Sequence, residues 1–150
     1  MHRDLKPENL LCEENLDDVD NNEIYIKLTD FGFATKYDAN KPQTLSLGSP
    51  IYMAPELVKE EAYDFKVDCW ATGVITYILL TGAPPFYPRE NAKQSKNAIY
   101  DDITTNEPDY TLLQDVSQDA VNFIRMALAK DPRERATIEQ LLDQPWIKDN

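Results

Sequence analysis

A mainly α chain carrying one small β hairpin is what the sequence predicts, on three observations. Residues 10–12 and 24–28 are short β-prone segments separated by polar, acidic residues, the pattern of two strands joined by a long loop. Beyond Pro55 the patterning is mostly helical. Within that region, residues 66–80 are apolar nearly all round, as in a central helix packed on every side.

Each later element follows from its own signals. Pro84-Pro85 ends the central helix. Residues 91–103 and 117–128 read as amphipathic helices, the second opened by Ser117 as N-cap. Thr137 with Gln140 three positions on makes a capping box for a last helix, which Pro145 terminates. No internal repeat or low-complexity tract interrupts the order.

Composition narrows the function classes. The 150 residues allow one domain, and 15 basic against 27 acidic residues give a net charge of -12. Such a surface repels nucleic acid and anionic membrane and favours a cationic partner. Six of the acids fall from Glu13 to Glu23 with no base among them, a solvated acidic loop. Cys12 and Cys69 are far apart and His2 is the single histidine, so neither a zinc site nor a disulfide framework is supported, and free thiols in the cytoplasm are expected. The longest apolar run is too short to span a bilayer, and no secretory signal follows Met1.

One octapeptide, His2-Arg3-Asp4-Leu5-Lys6-Pro7-Glu8-Asn9, holds the groups that phosphoryl transfer to a hydroxyl needs. Such transfer requires an acceptor for the hydroxyl proton, a cation beside the transferred oxygens, and oxygen ligands for magnesium. Asp4 is the candidate base, Lys6 the candidate cation beside the transferred phosphate, and Asn9 a metal-facing amide. Asp30, in Asp30-Phe31-Gly32, supplies an anionic metal ligand, and Gly32 gives the backbone freedom for a sharp turn. An EF-hand is the competing metal reading, since Asp18, Asp20 and Asn22 have its spacing. It fails because Glu23 occupies the position that needs glycine and Thr29 the one that needs glutamate.

Together with Ala54-Pro55-Glu56, these motifs resemble, in order, the catalytic loop, metal-binding turn and end of the activation segment of a eukaryotic protein kinase. The resemblance implies the helical C-terminal lobe of such a kinase: catalytic loop 2–9, activation segment 30–56 and helical subdomain 57–148. It makes His2, Phe31 and Gly32 structural parts of the site. It pairs Glu56 with Arg135 of Asp131-Pro132-Arg133-Glu134-Arg135 in a buried ion pair, and makes Asp68 the helix acid that hydrogen-bonds the catalytic-loop backbone. ATP and Mg2+ are the implied cofactors.

Substrate class follows from the same likeness. Lys6-Pro7-Glu8-Asn9 is similar to serine/threonine kinases, in which a residue at the place of Ser49 bonds both the catalytic aspartate and lysine. Met53 stands where proline-directed kinases have arginine, and residues 77–86 resemble the calcium- and calmodulin-regulated group. Calmodulin regulation would then act through regions outside this chain. Glu8 is placed to meet an arginine upstream of the acceptor, although Ile78 replaces the acid of a second basic pocket. Thr44 and Ser46 lie where phosphorylation commonly orders the segment against the arginine before the catalytic aspartate, here Arg3.

The likeness also predicts a truncated kinase. The chain has four glycines, Gly32, Gly48, Gly73 and Gly82, no two of them one residue apart, so it carries no glycine-rich phosphate loop. Lys27, in Ile24-Tyr25-Ile26-Lys27, imitates the small-lobe lysine but comes after the catalytic loop. The adenine hinge and an apolar helix expected upstream to pack on the central helix are also absent. The isolated chain is therefore expected to be inactive and marginal or aggregation-prone. The alternative reading is a catalytically dead interaction module using the surfaces of residues 117–147 and 91–103.

Overall fold

The computed structural model describes residues 1–14, 24–87 and 95–148. Strands β1 (Leu10–Glu14) and β2 (Ile24–Leu28) pair antiparallel, Leu10 opposite Leu28 and Glu14 opposite Ile24. β1 runs past the expected residue 12, to Glu14. The joining segment lies outside the described residues, as do the acids Asp18 and Asp20 of the EF-hand comparison. The predicted mainly helical chain with one hairpin is the observed fold.

Six helices follow: α1 (Pro55–Val58), α2 (Lys66–Thr81), α3 (Lys96–Thr105), α4 (Gln118–Ala127), α5 (Ile138–Leu142) and α6 (Pro145–Lys148). Asp64 Oδ1 accepts the Lys66 N–H at the start of α2. At its other end Gly82 takes the left-handed conformation, φ 74°, and its N–H bonds the Ile78 carbonyl. The glycine therefore stops α2 before Pro84-Pro85 is reached. Ser117 caps α4 by accepting from Ala120 N, and both bonds of the Thr137–Gln140 capping box are formed.

Three further expectations are corrected. α3 has its N-cap at Ser95 and extends to Thr105; residues 91–94 lie outside the described residues. Pro145 does not merely end the preceding helix but opens the short α6, where its fixed φ suits a first turn. α2 is not packed on every side. Leu79 is 76% exposed at its end, and Cys69 and Thr72 on its flank line a cavity of about 630 Å³ with Met1, His2, Leu5 and Phe65. Full helical apolarity shows that several faces meet neighbours, but does not say which neighbours the chain supplies.

The main core gathers Met53, Leu57, Tyr63, Val67, Trp70, Val74, Tyr77, Phe86, Ile103, Leu113, Ile124 and Leu128 around α2. Trp70 and Phe86 stack with centroids 5.3 Å apart. A second cluster joins Cys69, Phe123, Ala127, Ala136 and Leu141. Both cysteines are free, and burial pushes the Cys69 thiol up to about 11. No helix among the described residues is long and apolar enough to cross a membrane.

Gly73 packs directly against the end of α4. A Cβ there would lie 2.7 Å from Ala127 Cβ and 2.9 Å from Leu128 Cδ2. Gly73→Ala is expected to cost about 1–3 kcal/mol through overpacking, read as a lower urea midpoint at constant m. An unchanged midpoint would show that the helices separate freely.

Candidate active site

The octapeptide forms a loop leading into a 3₁₀ turn, Pro7–Asn9, and then β1. Its backbone is hung on α2. Asp68 Oδ2 accepts the His2 N–H at 2.7 Å and Oδ1 the Arg3 N–H at 2.8 Å. Two charge-assisted bonds from one carboxylate fix the loop against the central helix. Arg3 is held at φ 71°, a left-handed conformation uncommon for a non-glycine residue.

His2 ties this loop to the turn beyond the hairpin. Its Nε2 is 3.0 Å from Thr29 O, its Nδ1 accepts the Asp4 N–H at 3.4 Å, and its ring meets Phe31 edge-on at 5.2 Å. The hairpin register does the rest. Thr29 N–H and hydroxyl both donate to Asn9 O, at 2.9 and 3.2 Å. Asn9 is thereby set beside the residue that precedes Asp30.

Asp4, 6% exposed, is enclosed by donors. Lys6 Nζ donates to Oδ2 at 2.8 Å, and Ser49 gives Oδ1 both its N–H at 2.9 Å and its hydroxyl at 3.0 Å. Lys6 Nζ is also 3.0 Å from Ser49 Oγ. The triangle requires the activation segment to approach closely at Gly48, where φ is 110° and a Cβ would sit 2.9 Å from Arg3 O. Only glycine meets both demands.

Electrostatics follow from this enclosure. Burial alone would raise the Asp4 carboxyl, but hydrogen bonds from Lys6 and Ser49 outweigh it and hold the group below the usual carboxylate range. The bond to Asp4 in turn raises Lys6 against the opposing effect of burial. A depressed carboxyl contributes stability above its unfolded titration range, and loses it as pH falls through the folded value. Ser49→Ala removes one of the lowering bonds, so the Asp4 titration followed by carboxyl-carbon NMR is expected to move upward. An unmoved titration would mean that the hydroxyl bond is not made in solution.

Asp30 adopts φ 58°, and its Oδ1 accepts the Gly32 N–H at 3.2 Å. Its other oxygen takes no hydrogen bond among the described residues. Asn9, also 6% exposed, donates Nδ2 to Asp4 O at 2.9 Å, which leaves its amide oxygen as the remaining donor atom. One carboxylate and one amide oxygen suit a hard cation that keeps most positions for water and phosphate. No group of three or more His, Cys, Asp or Glu side chains that could hold a metal ion occurs among the described residues.

Glu56 and Arg135 meet at the base of the activation segment. Arg135 Nη1 and Nη2 donate to Glu56 Oε1 and Oε2 at 2.6 and 2.9 Å, and the two residues are 1% and 2% exposed. The remaining guanidinium N–H groups reach the carbonyls of Ala129, Lys66 and Lys130.

Glu8 is exposed, and its charge adds to burial in raising the Tyr52 phenol. Arg3 bonds neither Thr44 nor Ser46. Its Nε donates to Phe33 O at 2.6 Å, and Nη1 to Gln43 Oε1 and Tyr63 OH at 3.4 and 3.2 Å. Sequence reasoning missed Gln43 and Tyr63. They are joined by an isolated antiparallel bridge, and irregular flanking sequence carries no periodic signal for such a pairing.

Comparison with known proteins adds to this geometry. Residues 1–147 match the family described as protein kinase domain. A probable myosin light chain kinase of Dictyostelium discoideum is 42% identical over 151 residues, covering 97% of this chain and 40% of that protein. A second probable myosin light chain kinase of that organism is 36% identical, covering 99% of this chain and 36% of its own length. Serine/threonine-protein kinase DCLK1 of Rattus norvegicus is 40% identical over 152 residues, covering 100% of this chain and 33% of that protein. The chain thus spans between 33% and 40% of the length of these relatives.

Proposed function

We propose, from the premise that this chain belongs to the protein kinase family, that it forms the helical C-terminal lobe of a serine/threonine kinase. In this reading it serves transfer of the γ-phosphoryl group of ATP to protein hydroxyls. The observation that carries the reading is the closed triangle of Asp4, Lys6 and Ser49, each pair of side chains within 3.0 Å. Relatives named serine/threonine and myosin light chain kinases support the substrate class.

The roles follow the geometry. Asp4, ionised and acceptor-only, orients the acceptor hydroxyl and receives its proton. Lys6 Nζ, on a side chain 22% exposed beside it, neutralises charge on the transferred group. Asn9 and Asp30 would hold Mg2+ by their uncommitted oxygens. Such an ion, when bound, would supply charge neutralisation at the phosphate oxygens. Arg3, Asp68, Phe31 and His2 position these groups, and Gly32 allows the turn that carries Asp30.

Exposed, acidic Glu8 supports a substrate with a basic residue upstream of the acceptor. Residues 77–86 support membership of the calmodulin-regulated group, with regulation by calcium and calmodulin through regions outside these residues, and the free Cys12 and Cys69 support location in the cytoplasm. The test is phosphoryl transfer by the intact kinase domain containing this chain, in Mg2+ and ATP. Serine peptides with upstream arginine should be phosphorylated, and matched tyrosine peptides should not. Binding of the peptides with no transfer to either would instead support the interaction-module reading.

A further inference from the structure

We propose that Ser46 is a modification site whose phosphorylation releases the activation segment, opposite in sign to the ordering expected from its position. Its effect on activity rests on the kinase reading; its effect on structure does not.

In the unmodified chain the segment is already docked by hydrogen bonds that involve no phosphate. Ser46 Oγ donates to Leu57 O at 2.9 Å, and Tyr63 OH donates to Leu45 O at 2.8 Å. Gln43 N–H donates to Tyr63 O at 3.3 Å and Tyr63 N–H to Gln43 O at 2.9 Å. Arg3 binds the side chains of both Gln43 and Tyr63. Thr44 makes no side-chain hydrogen bond among the described residues, and Leu45 is 61% exposed, so residues 44–46 present themselves to a modifying enzyme.

Phosphorylation forms an Oγ–P bond, breaks the bond between the γ-phosphorus of a nucleoside triphosphate and its bridging oxygen, and releases the hydroxyl proton to solvent. The product has lost the hydroxyl donor that ties Ser46 to Leu57 O, a carbonyl that keeps the Glu60 N–H at 3.3 Å, and brings three acceptor oxygens against it. Leu57 lies at the carbonyl end of α1, where negative charge is disfavoured. Lys59 is outnumbered there by Glu60 and Glu61. Arg135 gives no relief, because its N–H groups are committed to Glu56 and three carbonyls. Displacement at Ser46 passes through Gly48 to Ser49, whose N–H and hydroxyl hold Asp4.

The test installs phosphoserine at position 46 of the full protein by amber suppression and reads amide hydrogen exchange at Tyr63 and Ser49. Exchange is expected to rise at least 10-fold at both, with Ser46→Ala intermediate and phosphothreonine at 44 without this loosening. Peptide phosphorylation is expected to fall at least 10-fold. Unchanged or slower exchange overturns release, and faster exchange with undiminished phosphorylation overturns the off-switch. If the unmodified protein phosphorylates no peptide, the kinase reading falls separately, and the exchange rates still decide whether the segment is released.

Discussion

Asp4→Asn lowers kcat for peptide phosphorylation by about 10²–10⁴-fold, the usual cost of losing a positioned base. The effect is expected in kcat rather than KM, because the lost interaction is made to a proton that moves only in the transition state. Asparagine keeps the size of the side chain and an oxygen for the Ser49 N–H and hydroxyl. Its amide nitrogen, however, faces Lys6 Nζ, which donates to Oδ2 in the native protein. A cation beside a neutral amide loses its partner without leaving a buried charge, so the melting temperature should move little. Activity within a few-fold of wild type would remove Asp4 from the chemistry.

Arg135→Ala destabilises the domain by about 3–5 kcal/mol, since removal of one member of a buried pair strands the other charge. Glu56, 2% exposed, would keep its carboxylate with no cation, and the carbonyls of Ala129, Lys66 and Lys130 would lose their donor. Against the ~5–15 kcal/mol by which domains are stable, that is a large fraction. Arg135→Lys is expected to rescue little, because one ammonium cannot reproduce a planar fork making bonds to five acceptor atoms. Urea denaturation measures both; a loss below about 1 kcal/mol for the alanine variant would mean the pair is solvated.

What was legible in the sequence depended on how local the cause was. The strands, α2, the Ser117 cap and the Thr137–Gln140 box follow from residues within a turn or two of each other, and each is present. The contact of Ser49 with Asp4 and Lys6 spans the chain; family resemblance, rather than periodicity, pointed to it. The end of α2 was misread because prolines are conspicuous, while Gly82 two residues earlier already satisfies the last turn. The surroundings of Arg3 were not legible at all. They depend on a backbone bridge between Gln43 and Tyr63 in sequence with no repeat, and on a left-handed Arg3, neither of which residue type dictates. The reason for Gly73 likewise lies in α4.

The central claim is that Asn9 and Asp30 share a divalent ion beside Asp4. Paramagnetic broadening by substoichiometric Mn2+, with ADP present and the intact domain isotope-labelled, reads it directly. Broadening first at the amides of Asn9, Leu10, Phe31 and Gly32, and its loss in Asp30→Asn, is the predicted result. Broadening confined to the acidic residues elsewhere on the surface, unaffected by Asp30→Asn, would contradict the account.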